Sequence, residues 1–187
     1  MAAIVVTPLA IPDVKLITCP RFSDERGFFS ETFNAAAFAA AGISLTFVQD
    51  NHSRSGIAGT VRGLHYQSQP LAQDKLVRVP RGRILDVAVD IRRSSATFGR
   101  HVAAEISASA WNQILVPAGF AHGFVTLEPD TEVIYKVTNA YSPEHDHGIL
   151  WSDPALGIDW PVREGKALLS ARDQRFPKLS DASILFP

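Results

Sequence analysis

Short apolar runs alternate along the chain with Gly, Pro, Asn and Asp residues. Runs of this kind, separated by turn residues, are typical of an all-β sandwich or barrel. We predict strands at residues 14–22, 28–33, 46–51, 61–65, 75–79, 84–91, 102–106, 113–116, 123–127, 132–137 and 148–150. Turn signals lie between them at residues 80–82, 98–99, 117–119 and 128–130.

One segment has the features of a helix. Asn34 is a favourable N-cap, residues 35–41 have high helix propensity, and Gly42 suits the position after the last turn. In the tail, Ser170 and Asp173 are spaced like a capping box, which predicts one further helical turn. Many short strands with few short helices predict a mainly β chain, folded as a double-sheet jelly roll or a related barrel. The open end of such a fold is where we expect a small ligand.

The composition restricts the class of protein. The 187 residues fit a single domain, 1–187, and with 46% hydrophobic and 20% charged residues intrinsic disorder is excluded. A net charge of −1, spread along the chain, argues against nucleic acid or an anionic membrane as the main partner. Any anionic ligand must therefore be held by a local group of basic residues.

The chain also carries signs of its location. A single cysteine allows no intramolecular disulfide, which fits a reducing cytoplasm. The start lacks the basic and apolar regions of a signal peptide, and no apolar run approaches the roughly 20 residues that span a bilayer. We expect a soluble, cytoplasmic protein.

Ionisable residues interrupt the apolar strands in four stretches, residues 24–31, 49–53, 61–67 and 117–124. Arg62 and His65 are three positions apart, so a continuous strand would point them to opposite faces, whereas a bulge at Gly63 would bring both into one cavity. From spacing alone His65 is equally well a hydrogen-bonded core histidine. His122, between a Pro-x-Gly turn and an apolar strand, is equally well a histidine that caps the turn.

A metal site is the obvious alternative for two histidines in a β-barrel. A first-row metal needs three or more converging N, O or S ligands, and cupin metal sites usually begin with a His-x-His pair. Gln67 occupies the position two after His65, so this pair is absent. His145 and His147 have the spacing but lie in the polar run 142–147, which we interpret as a solvated loop. We therefore expect no metal and no other cofactor.

The interrupted stretches, taken together, resemble the dTDP-4-dehydrorhamnose 3,5-epimerases, a metal-independent, cupin-type family of dTDP-rhamnose biosynthesis. The similarity runs in order from about residue 14 to residue 177. It is carried by residues 24–31, 49–51, 59–65, 86–92, 117–124, 135–136, 141–143, 151–154 and 170–173. The family inverts C3 and C5 of a 4-keto sugar, both of which lie next to the C4 ketone. Each inversion needs a base on one face, a stabilised enolate and a proton donor on the other face.

The resemblance implies a catalytic role for four residues. His65 matches the base, whose ordinary pKa suits proton abstraction near neutrality, and Asp173 matches the carboxylate that orients it. Lys75 matches the stabiliser of the enolate oxygen, and Tyr135 matches the proton donor. Without the resemblance, Lys75 would be interpreted as an edge-strand lysine, Tyr135 as a core aromatic, and Asp173 as a helix cap.

The resemblance also implies a set of substrate contacts. Guanidinium groups suit the diphosphate of a sugar nucleotide, and an aromatic ring suits stacking on the thymine base. The matching positions are Arg26, Glu31, Gln49, Asn51, Arg62, His122, Tyr141 (the stacking residue), Asp146 and Arg172. Asp146 and Arg172 replace the family's usual Glu and Lys, and His101 replaces a usual aromatic residue, which leaves the chemistry unaffected.

The expected function is therefore inversion of C3 and C5 of dTDP-4-dehydro-6-deoxy-D-glucose, giving dTDP-4-dehydro-L-rhamnose for cell-surface polysaccharide. The family forms homodimers in which the segment around Arg26 reaches the partner's site, so we expect a homodimer here. The alternatives are a 3- or 5-monoepimerase of a related sugar, a metal-dependent cupin oxygenase or isomerase, and a non-catalytic binder of sugar nucleotides.

Overall fold

A computed structural model describes residues 3–187 of the chain. Its strands are β1 Val5–Pro8, β2 Lys15–Thr18, β3 Phe22–Asp24, β4 Gly27–Phe29, β5 Gln49–Ser55, β6 Val61–Gln67, β7 Lys75–Arg81, β8 Arg83–Asp90, β9 His101–Ser107, β10 Asn112–Val116, β11 Phe120–Thr126, β12 Thr131–Val137 and β13 Asp146–Gly148. Helix α1 spans Ala35–Ala40, and three 3-10 helices span Pro154–Leu156, Asp173–Arg175 and Leu179–Asp181. The predicted mainly β chain with few short helices is confirmed.

The strands form two large sheets and a separate hairpin. A six-stranded sheet has the order β1-β2-β10-β7-β12-β5, and a five-stranded sheet has the order β13-β6-β11-β8-β9. The pairings within both sheets are antiparallel. Strands β3 and β4 pair only with each other, and all six of their residues are exposed. Neighbours in a sheet are often distant in sequence, as in a jelly roll.

The two sheets enclose an apolar core that gives way to a polar end. Val77 and Val79 on β7 pack with buried residues of β8, β9, β10, β11 and β12. Alternate residues of a strand share a face, so Lys75 occupies the same row of β7 as these two valines. On β11, His122 likewise lies between Phe120 and Phe124, which both belong to the core. Polar side chains therefore occupy positions that face the space between the sheets.

The outer faces of both sheets are also covered. Helix α1 places Phe38 against Ile17 and Leu115 of the six-stranded sheet. Chain from the C-terminal part covers the five-stranded sheet, where Leu156 and Phe186 join its second apolar cluster. This covering explains why several strands are apolar throughout and lack simple alternation.

Most of the predicted elements are found with shifted bounds. The helix prediction is confirmed, because Asn34 Oδ1 accepts a hydrogen bond from the Ala37 N–H and Gly42 has a positive φ of 82°. Three of the four predicted turns lie between consecutive strands, and the fourth, 80–82, overlaps the end of β7 at the connection to β8. The tail prediction is confirmed in part, because the Asp173 N–H bonds to Ser170 Oγ but the turn that follows is 3-10.

Several strand predictions are wrong in detail. The run 14–22 divides into β2 and β3, with Pro20 between them, and the run 28–33 contributes only its first residues to β4. Strand β1 was not predicted, since it lies at a sheet edge and is largely exposed. The run 142–147 is not simply a solvated loop, because β13 begins at Asp146 and pairs with β6.

Candidate active site

A bulge in β6 brings Arg62 and His65 to the same cavity. The β6–β11 register pairs His122 with His65 and Phe124 with Arg62, so β6 has one extra residue between these pairs. Gly63 lies in this extra segment with a φ of 118°. A Cβ atom at residue 63 would lie 2.6 Å from Gly123 Cα and from the His122 carbonyl oxygen. Only glycine fits here, and the expected bulge is confirmed.

His65 pairs with a carboxylate from the tail. Its Nε2 lies 2.8 Å from Asp173 Oδ1, and its side chain is 32% exposed whereas that of Asp173 is 6% exposed. Burial by itself raises the pKa of Asp173, but hydrogen bonds from His65, Ser170 and the Gly63 N–H outweigh this effect and lower it. A charged carboxylate that accepts from Nε2–H leaves Nδ1 of the ring with a free lone pair.

Two further groups reach the cavity from the opposite sheet. Lys75 on β7 is buried, and its Nζ donates a hydrogen bond to the His65 carbonyl oxygen at 3.3 Å. Burial lowers the pKa of Lys75 to about 8, although Asp146 and Asp86 act to raise it. Tyr135 on β12 is paired in register with Val77, and burial raises the pKa of its phenol. Since β7 lies between β10 and β12, the interpretation of Lys75 as an edge-strand lysine is wrong.

His122 also forms a histidine–carboxylate pair. Its Nε2 lies 2.8 Å from Asp86 Oδ2, and both side chains are buried. The second oxygen, Asp86 Oδ1, has no hydrogen-bond partner among residues 3–187. His122 is inside β11 and pairs with both neighbouring strands, so it does not cap the preceding turn.

These side chains line a cavity of about 260 Å³ between the sheets. Its walls contain most of the residues to which the sequence assigned catalysis or phosphate binding. They are Ser53, Arg62, His65, Lys75, His122, Phe124, Tyr135, Ser170, Arg172 and Asp173. Three of its cationic groups, Arg62, Lys75 and Arg172, come from different elements. The cavity therefore combines a carboxylate-bound imidazole, a phenol and concentrated positive charge.

A second recess of about 240 Å³ shares His65, Lys75 and Tyr135 with the first. It adds four of the predicted contact residues, namely Gln49, Asn51, Tyr141 and Asp146. The Gln49 side chain donates to Asn51 Oδ1 at 2.9 Å and accepts from the Tyr141 N–H at 3.0 Å. The exposed Tyr141 ring is thus held at the rim, where its hydroxyl donates to Asp146 Oδ2 at 3.0 Å.

Arg172 joins the two recesses. Its Nη1 lies 2.6 Å from Asp146 Oδ2, and its Nη2 donates to the Asp146 carbonyl oxygen at 3.0 Å. This arginine belongs to the tail, whereas Asp146 is on β13. The ion pair therefore crosses from the tail to the sheet at the edge of the cavity.

Two predicted contact residues are not brought to either recess. Arg26 is exposed in the β3–β4 hairpin, where its guanidinium pairs with Asp24. Glu31 is exposed in the segment that follows the hairpin. Neither of them lines the cavity of its own chain.

A family model described as dTDP-4-dehydrorhamnose 3,5-epimerase matches residues 8–181. The chain belongs to this epimerase family. The enzyme of that name from Pseudomonas aeruginosa is 51% identical over 182 residues, which is 97% of this chain and 98% of its own length. The family resemblance inferred from the sequence is confirmed.

Solved structures of epimerases share the fold. The Bacillus anthracis enzyme, with TDP and PPi bound, has a TM-score of 0.91 at 46% identity and covers 94% of this chain and 99% of its own. The Legionella pneumophila epimerase, in complex with dTDP-4-keto-L-rhamnose, has a TM-score of 0.92 at 44% identity and covers 98% of this chain and 97% of its own. The predicted jelly-roll class is confirmed by this match to epimerase structures.

Sequence reasoning missed several residues of this epimerase site. Asp86 was noted only within a family segment. The available signal was a charged residue on the same strand face as the apolar Ile84 and Ala88. Phe176 escaped attention because nothing in the tail sequence ties it to His65, yet the two rings lie 5.5 Å apart. Ser53 and Phe124 line the cavity and were noted only as members of the interrupted stretches 49–53 and 117–124.

The structure also bears on metal ligands and membrane segments. Between residues 3 and 187, no group of three or more His, Cys, Asp and Glu side chains has an arrangement that would hold a metal ion. In the same range, none of the helices has the length and apolarity needed to span a bilayer.

Proposed function

We propose that this chain inverts C3 and C5 of dTDP-4-dehydro-6-deoxy-D-glucose to give dTDP-4-dehydro-L-rhamnose. The observation that carries the proposal is that His65, paired with Asp173, is on one sheet and Tyr135 is on the other, and that all three line one cavity in a member of this epimerase family. Catalysis at a carbon next to a ketone needs a base and an acid on opposite faces of the sugar. The two sheets supply one group each.

The proposed chemistry begins with His65. Its Nδ1 lone pair removes the proton from C5 or C3, and Asp173 stabilises the imidazolium that forms. The electrons of the broken C–H bond move onto the C4 oxygen to give an enolate. The Lys75 ammonium stabilises this oxygen, because a fixed positive charge is effective in a site with little water.

Reprotonation then completes the inversion. The Tyr135 phenol donates a proton to the same carbon from the opposite face, and the enolate returns to the ketone. Burial raises the pKa of Tyr135, so the phenol keeps its proton at neutral pH. His65 has then gained a proton and Tyr135 has lost one, and exchange with solvent restores both before the second carbon reacts.

The remaining residues suit a nucleoside diphosphate. Arg62 and Arg172 supply donors for the phosphate oxygens at one end of the cavity, where His122 also lines the wall. Gln49, Asn51, Asp146 and Tyr141 lie in the adjoining recess, where the Tyr141 ring can stack on the thymine base. In this proposal the sugar lies near His65, which belongs to both recesses.

We further propose that the protein acts as a cytoplasmic homodimer. Arg26 and Glu31 match substrate contacts of the family but lie away from the cavity of their own chain. The hairpin that carries Arg26 exposes Phe22, Phe28 and Phe29, and an exposed cluster of this kind is typical of an interaction surface. Docking of this hairpin on a second copy would bring Arg26 to the partner's cavity. Its product would serve dTDP-rhamnose biosynthesis for cell-surface polysaccharide.

The experiment that tests the function is proton exchange in deuterated water. Incubation with dTDP-4-dehydro-6-deoxy-D-glucose should place deuterium at both C3 and C5, measured by NMR, and yield the L-rhamno product. His65→Asn should abolish exchange at both carbons while the protein still binds dTDP.

Each alternative function predicts a different result. Exchange and inversion at one carbon only would identify a monoepimerase. Tight dTDP binding by folded protein with no exchange would identify a non-catalytic binder. Activity that depends on a stoichiometric first-row metal, measured by elemental analysis, would identify a metal-dependent enzyme.

A further inference from the structure

The residue that orients the base comes from a segment outside both sheets. Asp173 begins a 3-10 helix that ends at Arg175, and the chain then continues as extended Phe176. The nearest backbone attachment to a sheet region is the Leu150 N–H, which donates to the Pro177 carbonyl oxygen at 2.8 Å. On the other side of Asp173, Leu168 forms a backbone bridge with Thr60, and between these two attachments side-chain contacts determine where Asp173 lies.

Phe176 is seated directly on a glycine of β13. A Cβ atom at Gly148 would lie 2.4 Å from Phe176 Cε2 and 2.5 Å from Cζ, closer than real Cβ contacts. Gly148 is buried and does not have a positive φ, so its backbone conformation is open to other residues. Glycine is required here for space alone.

The same ring contacts His65 and Arg172, the residue before Asp173. It meets the His65 ring edge-on, with centroids 5.5 Å apart and planes at 75°. The Arg172 guanidinium carbon lies 5.2 Å from the centroid of the same ring. Phe176 therefore contacts the base itself and the residue that precedes Asp173.

We propose that Phe176, seated on Gly148, is a positioning residue that holds Asp173 within hydrogen-bond distance of His65. One short helical turn separates Phe176 from Asp173, so a displacement of the ring moves the carboxylate with it. The absence of a side chain at Gly148 determines how closely the Phe176 ring packs against β13. The effect on turnover rests on the proposed function, whereas the effect on the His65–Asp173 hydrogen bond does not.

The test is Gly148→Ala with Gly56→Ala as the matched control. A misplacement of about 1 Å costs up to roughly 100-fold in rate, so Gly148→Ala should lower kcat by about 10- to 100-fold. The Kd for dTDP should stay near the wild-type value, because the Arg172–Asp146 pair remains. Gly56 also lacks a positive φ, and a Cβ there meets nothing within 4 Å, so Gly56→Ala should keep the wild-type kcat.

A second substitution separates positioning from general damage. Leu lacks the two ring atoms closest to the added Cβ, so Phe176→Leu combined with Gly148→Ala should recover part of the lost kcat. Folded fractions are measured by near-ultraviolet circular dichroism, and kcat is expressed per folded molecule. A wild-type kcat in Gly148→Ala, or a double variant no better than Gly148→Ala, would overturn the proposal.

A spectroscopic measurement keeps this inference separate from the function. The proton on His65 Nε2 is observed by NMR of protein with ¹⁵N-labelled histidine, and it is assigned by its loss in His65→Asn. This signal should shift or disappear in Gly148→Ala and persist in Gly56→Ala. An unchanged signal overturns the proposal whether or not the wild-type protein turns over, whereas a wild-type protein without turnover contradicts the proposed function alone.

Discussion

Lys75 lies in a row of inward-facing positions on β7 that otherwise holds the valines of the core. Burial disfavours the charged form, which is why the pKa of this lysine falls to about 8. In Asp90, a buried aspartate on β8, the charged form is instead stabilised. Burial raises the pKa of Asp90, but hydrogen bonds from Arg92, Ser95 and Thr97 outweigh this and hold it at about 2. Asp90 accepts hydrogen bonds from several side chains and is structural, whereas Lys75 has one acceptor among residues 3–187 and faces the cavity.

The lowered pKa of Lys75 predicts an alkaline limit to activity. Only the ammonium stabilises the enolate, so kcat should fall as the pH rises through about 8. An unperturbed lysine would hold its charge to about pH 10. The measurement is kcat as a function of pH between about 6 and 10, followed by deuterium exchange at C5.

Lys75→Arg is the matched variant for this prediction. Arginine stays charged over the whole range, so this variant should show a lower kcat with no decline near pH 8. A wild-type kcat that stays flat to about pH 10 would contradict the enolate role of Lys75.

Strand β6 shows how a single element combines opposing requirements. Its outward-facing Leu64 and Tyr66 pack into the apolar cluster under the C-terminal chain, while Arg62 and His65 both face the cavity. A regular strand cannot present residues three positions apart on one face, so the bulge at Gly63 is needed. The neighbouring strand approaches so closely at this point that no side chain fits.

Gly63→Ala is therefore expected to damage both stability and activity. Crowding of Gly123 and the His122 carbonyl adds to the strain of a positive φ, and the free energy of unfolding should fall by at least about 2 kcal/mol. Folded protein should lose most of its kcat, since a straightened β6 turns His65 or Arg62 away from the cavity. Urea unfolding and exchange kinetics provide the two measurements.

Gly42→Ala serves as the control for the bulge. Gly42 also has a positive φ, 82°, but a Cβ there meets nothing within 4 Å. It should lose only about 1 kcal/mol and keep its kcat. Equal losses in the two variants would show that backbone strain alone, and not the close approach of β11, determines the effect.

At the scale of the whole molecule, the contacts within a single chain do not explain the role of the β3–β4 hairpin. It pairs with neither large sheet, although Phe28 packs edge-on against Trp111 with centroids 4.7 Å apart. The guanidinium of Arg21 lies over both of these rings. These contacts fix the base of the hairpin and leave Phe29 exposed at 69%.

Exchange of subunits tests whether the hairpin serves a partner. Arg26→Ala should raise KM, and His65→Asn should abolish turnover. If Arg26 acts on the partner's cavity, a mixed dimer of the two variants has one cavity with both residues intact. Unfolding and refolding equal amounts of the two variants together should therefore restore activity to about a quarter of the wild-type value at substrate concentrations well below the wild-type KM, because half of the dimers are mixed.

The size of the particle is measured alongside by analytical ultracentrifugation. If the mixture is no more active than the amount of Arg26→Ala protein that it contains, Arg26 acts within its own chain. A monomeric wild-type protein would contradict the dimer proposal directly.

The sequence by itself determined the mainly β class, the turns, the helix from Asn34 to Gly42 and, through the ordered family segments, the identity of most of the residues gathered at the cavity. Strand alternation, turn chemistry and helix caps are local properties, so they are visible in short windows of sequence. Only the tertiary structure decided which partners meet. His65 and Asp173 are 108 residues apart, and His122 and Asp86 are 36 apart. Their pairing depends on the bulge in β6, on the antiparallel register of β11 and β8, and on the packing of the tail. Gly63 marked the bulge in the sequence, but the register and the packing of the tail are set by long-range contacts that no local pattern encodes.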